Sequence, residues 1–203
     1  MDAEQIKRAA SAALDARKHE IDLFWTRSLF FWGFISVAAA AYGFLASAAP
    51  ATDRPLETRG AILRLSVVSF GLVCSIAWTL VNRGSKFWQD SWEKNVGSFE
   101  DHYFGGTFFT KPRRDVKVAL TTGGEFSVTR VTIILSYFVA FLWSALWISE
   151  VNDALKIIAT SCISSLLPPV IILGTCLAVF CLFYLGRRNL EGWDGPSLPK
   201  DSP

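Results

Sequence analysis

Four long stretches of this chain carry no Asp, Glu, Lys or Arg: residues 28–52, 65–82, 131–149 and 157–186. An α-helix advances about 1.5 Å per residue, so roughly 20 mostly apolar residues cross the ~30 Å hydrocarbon layer of a bilayer. Each interval meets or approaches that length. The shortest, 65–82, is bounded by Arg64 and Arg83, whose aliphatic stems let the guanidinium groups snorkel outward and lengthen the usable span. A water-soluble helix of this kind would show a polar stripe at a period near 3.6, whereas 133–148 and 170–185 are apolar on every side. The expectation is an all-α membrane protein with four transmembrane helices. Ala46, Ser47 and Ala48 resemble a signal-cleavage site, but the apolar stretch ends well beyond the roughly 15–30 residues of a secretory signal, so it is expected to persist as the first span.

The bias of Lys and Arg toward the cytoplasmic side gives the orientation. Sixteen of the twenty basic residues precede the first span, lie between the second and third, or follow the fourth; only Arg54, Arg59, Arg64 and Lys156 fall on the other side. Both termini and the central insert are therefore expected in the cytoplasm. The chain divides into an N-terminal cytoplasmic helix (1–22), spans one and two (23–83), a cytoplasmic helix-plus-hairpin insert (84–126), spans three and four (127–187) and a flexible cytoplasmic tail (188–203). Trp25, Trp32, Trp143, Trp147 and Tyr184 suit interfacial aromatic belts, with packing between helices as the open alternative. Pro168 and Pro169 either open the last helix or kink a longer one. If they open it, 157–167 is expected to be a surface or re-entrant segment.

In the insert, Trp88, Trp92, Val96, Phe99 and Tyr103 recur at steps of three or four and share one face of a helix continuing from the second span. Such an aromatic stripe must be covered by the N-terminal helix, a neighbouring subunit or the lipid surface. Beyond Gly105 and Gly106, two β-prone runs at 107–110 and 116–121 flank a basic turn containing Lys111, Pro112, Arg113 and Arg114, which reads as a hairpin. Ala39, Gly43 and Ser47 form successive small-xxx-small steps on span one, allowing close helix approach in lipid.

Little else in the chain points to chemistry. Twenty basic residues against eighteen acidic ones leave no nucleic-acid footprint. Cys74, Cys162, Cys176 and Cys181 show neither Cys-x-x-Cys nor a Cys/His cluster, and His19 and His102 lack partner spacing, so no metal, cofactor or catalytic residue is assigned. No phosphate loop, dinucleotide fingerprint or nucleophile elbow is present, and an enzyme is not expected. The absence of charge within the spans also argues against a proton-coupled transporter.

One segment is more specific. Residues 82–93, Asn-Arg-Gly-Ser-Lys-Phe-Trp-Gln-Asp-Ser-Trp-Glu, directly follow a span and precede Phe99 and Glu100; with Phe24, Trp25, Phe30, Phe31 and Trp32 opening the first span, they resemble the RipA family of octameric membrane proteins. The resemblance implies a small bacterial inner-membrane protein that self-associates as an octamer; it brings no catalytic residues. The expected function is a homo-oligomeric scaffold or pore in which Trp88, Trp92, Val96, Phe99, Ala39, Gly43 and Ser47 make subunit contacts, with the lipid bilayer and an unidentified cytoplasmic protein as further partners. The alternative is a membrane effector whose Lys111, Arg113 and Arg114 receive an anionic ligand or lipid headgroups.

Overall fold

A computed structural model describes residues 3–47, 54–98, 127–160 and 166–186. Among them every element is helical: α1 (Ala3–Ser47), α2 (Arg54–Ser98), α3 (Val128–Thr160) and α4 (Leu167–Tyr184). All four are long and apolar enough to cross a membrane, within Ser11–Ser47, Glu57–Glu93, Val128–Lys156 and Leu167–Tyr184. At 45 residues each, α1 and α2 reach roughly 68 Å, twice what a bilayer core requires. Each therefore continues as one unbroken helix well past its uncharged interval. The N-terminal segment runs straight into the first span, and the second span runs on through Trp88 and Trp92 to Ser98. The hairpin at 107–121 and the C-terminal tail lie outside the described residues.

Helix α2 is the hub, packing against α1, α3 and α4. The core around it contains Ile35 and Ala38 from α1, Val68, Leu72, Cys74 and Trp78 from α2, and Trp143 from α3. Gly71 is what allows α3 so close: a Cβ there would fall against the six-membered ring of Trp143. Trp143 is thus a core residue and not part of an aromatic belt. Trp147 likewise turns inward, its Nε1 donating to Ser69 Oγ at 3.0 Å. Both rings prefer this position because a glycine on α2 leaves room for one and a hydroxyl satisfies the other's N–H. Trp25 and Trp32 remain substantially exposed, Trp32 meeting Trp78 edge-on at 5.5 Å.

The two prolines open α4. They occupy its first turn, with Leu166 as the N-cap, where the missing N–H groups cost no helical hydrogen bond. The expectation that 157–167 forms a separate segment is corrected at its start, since α3 runs on to Thr160.

A row of polar residues runs along the buried side of α2: Ser69, Ser75, Thr79, Asn82, Ser85 and Gln89. In an apolar surrounding each such group needs an internal partner. Ser75 and Thr79 donate to the carbonyls of Leu72 and Ser75, both at 2.9 Å. Gln89 accepts from Thr129 Oγ1 at 3.0 Å, tying the start of α3 to α2.

Candidate functional site

Two polar nodes link the helices, one toward each end of the bundle: the first joins α1, α2 and α3, the second α1 and α2. The first is built on Glu150, which stands one residue past the third uncharged interval and is buried. Tyr42 of α1 donates its hydroxyl to Glu150 Oε1 at 3.0 Å, and Arg64 of α2 donates Nε to Oε2 at 3.2 Å. One carboxylate of α3 thereby engages both other helices, each through its own oxygen. A buried carboxylate is costly unless paired and hydrogen-bonded, and here both conditions are met. Arg64, which the sequence suggests as a snorkelling residue, instead turns its guanidinium onto Glu150. A charge-assisted bond to a carboxylate is among the stronger hydrogen bonds open to a guanidinium.

The second node sits on α1 and α2 around Asn82. Ser28 Oγ donates to Asn82 Oδ1 and Trp78 Nε1 donates to Ser28 Oγ, both at 3.5 Å, the outer limit for such bonds. Asn82 Nδ2 is buried without a hydrogen-bond partner. Nearby, Arg27 Nη1 reaches both Glu20 Oε1 and Ser85 Oγ at 3.2 Å. Further along, Arg17 pairs with Glu93 at 3.3 Å, which fastens the extra-long N-terminal part of α1 to the extension of α2. Trp92, next to Glu93 in the chain, is half-buried, as is Trp88. Trp88 also packs edge-to-face on Phe87, with centroids 5.6 Å apart.

The residues expected to make subunit contacts thus fall into two groups far apart along the bundle. Trp88 and Trp92 lie on the α2 extension with Val96, while Phe99 lies outside the described residues. Ala39, Gly43 and Ser47 share one exposed face of α1, and a Cβ on Gly43 would meet nothing within 4 Å. Lys111, Arg113 and Arg114 lie outside the described residues. The node that sequence reasoning missed is Tyr42–Arg64–Glu150. Its signal was present: the second and third uncharged intervals end at residues of opposite charge, Arg64 and Glu150, on what antiparallel helices make the same end.

The fourth helix is set apart. Among the described residues no side-chain hydrogen bond or ion pair links α4 to another helix; Thr175 donates to its own helix at Ile171 O, 2.7 Å away. Between α2, α3 and α4 lies an apolar cleft of about 440 Å³, lined by Leu72, Ile76, Trp147, Ile148, Thr175 and Phe180 among others. No group of three or more His, Cys, Asp or Glu gathers among the described residues.

Compared with known proteins, the chain matches over residues 7–152 a family model described as the octameric membrane protein family (8xMP). The match takes in most of α1, all of α2 and the greater part of α3 and stops short of α4. No curated protein and no solved structure matches.

Proposed function

The chain belongs to the octameric membrane protein family, and from that premise we propose that it is a homo-oligomeric membrane scaffold, assembled as an octamer in the bacterial inner membrane with both termini in the cytoplasm. The observation that carries the scaffold reading is the filled interior of the protomer: Leu65, Val68, Trp78 and Trp143 close the space between α1, α2 and α3. Packing of this kind leaves no conduit between α1, α2 and α3 among the described residues, which favours a scaffold. The 16-to-4 partition of basic residues supports the orientation. Trp88, Trp92, Val96 and Phe99 at one end and Ala39, Gly43 and Ser47 on α1 supply the subunit contacts, and no catalytic step is part of this reading.

The mass of the particle purified in nanodiscs tests it. A discrete eight-copy particle, reduced in size by Trp88→Ala/Trp92→Ala while the protomer stays helical, is the expected result. A monomeric wild type overturns the proposal. Solute flux through reconstituted vesicles would add conduction to the scaffold role, and its absence leaves a scaffold alone.

A further inference from the structure

Two exposed rows of side chains on the bundle have complementary relief. On α1, Gly33, Ser36, Ala40, Gly43 and Ser47 recur at alternating steps of three and four, all exposed. Phe30, Val37 and Phe44 rise along one edge of this row, so it forms a furrow with a ridge beside it. A Cβ added to either Gly33 or Gly43 would meet nothing within 4 Å, so the protomer itself does not need these glycines for packing. On α3, Ile134, Phe138, Phe141, Ala145 and Ile148 follow the same alternating spacing, and the four large ones are each more than half exposed. A furrow of small residues facing a row of large ones at this spacing is the relief of knobs entering holes between helices crossing near 20°. Small residues let the backbones approach, which is how helices gain contact energy in lipid.

We propose that α3 of one subunit seats the part of its row from Phe141 to Ile148 in the α1 furrow of the next copy, so that each subunit gives one face and receives the other. This rests on the homo-oligomeric reading above. Two points favour a second copy as the occupant. The stretch matched to the octameric family, 7–152, contains both rows and stops short of α4. A closed ring also requires two different complementary patches per subunit, whereas like meeting like through a twofold axis closes at a dimer. Depth agrees as well. Tyr42 bonds to Glu150 within one subunit, so position 42 of α1 and position 150 of α3 share a level. Copies related by an axis along the membrane normal keep their depths, which puts Ala40 of one copy opposite Ile148 of the next, and Gly33 opposite Phe141, on parallel helices.

The test is disulfide crosslinking of the full chain in membranes, in a background with Cys74, Cys162, Cys176 and Cys181 changed to Ser. Ala40→Cys/Ile148→Cys in one chain is expected to give a ladder of covalent multimers, and each single variant to give none. Gly43→Leu fills the furrow without a clash inside the protomer and is expected to lose the large particle while helicity is retained. A dimer from Ala40→Cys alone would overturn the seam in favour of α1 meeting α1. No ladder from the pair in a particle that is still large overturns the seam alone. A monomeric wild type overturns the homo-oligomeric reading with it.

Discussion

The Glu150 end and the Asn82 end of the bundle solve the same problem with different chemistry. Each must place polar groups between apolar helices. At the Glu150 end, a carboxylate accepts from a phenol and a guanidinium at 3.0 and 3.2 Å, and three helices are joined at one point. At the Asn82 end, neutral groups on two helices meet at 3.5 Å and one amide donor has no partner. Charge-assisted bonds are roughly twice as strong as neutral ones, and a buried donor left unmade costs about 1–3 kcal/mol. The Glu150 end is accordingly the fixed one. The Asn82 end depends on its neighbours, the Arg27 contacts to Glu20 and Ser85 and the Gln89–Thr129 bond, to hold its helices in register.

The sharpest way to break this comparison is to make the same replacement at both ends. Glu150→Leu leaves Arg64 and Tyr42 facing an apolar side chain and is expected to cost about 3–5 kcal/mol, the range for breaking a buried pair. Thermal unfolding in nanodiscs, followed by tryptophan fluorescence, measures it. Adding Arg64→Leu should return much of that loss, since removing both charges is often neutral; an equally unstable double variant would mean Glu150 acts through packing instead. Gly71→Ala pushes a methyl group into Trp143 and is expected to cost about 1–3 kcal/mol by overpacking, with a shifted emission maximum as the ring is displaced. Asn82→Leu, of similar shape, removes an unpartnered donor and should stay within about 1 kcal/mol of the parent. A loss as large as that of Glu150→Leu would show that the Asn82 end is the stronger anchor. The smallest effect is expected from Arg17→Ala, because both members of that pair are substantially exposed and such pairs contribute about 0–1 kcal/mol.

The span count was legible because charge is excluded from hydrocarbon whatever the helices pack against, and the four intervals without charge became four helices. The position of Pro168 and Pro169 in the first turn of α4 was one of two readings, and local backbone chemistry decides it. Less was legible in the site. Trp143 and Trp147 have the composition and placement of belt residues, and only the proximity of Gly71 and Ser69 on another helix draws them inward. Glu150 and Arg64 looked like the charged margins of separate spans, and nothing local announces that they meet.

By itself, then, the sequence determined that four helices are long and apolar enough to cross a membrane, that the second continues beyond its span, and that small residues recur at Ala39, Gly43 and Ser47 on the first. These follow from transfer free energies and helical periodicity, which act on each segment alone. The tertiary structure decided which side chains are interior. It made α2 the hub, closed the protomer around Trp78 and Trp143, and joined Tyr42, Arg64 and Glu150, residues far apart in the chain. In lipid the hydrophobic effect does not distinguish one apolar helix face from another, so the choice falls to close packing at Gly71 and to the few polar groups that must find one another.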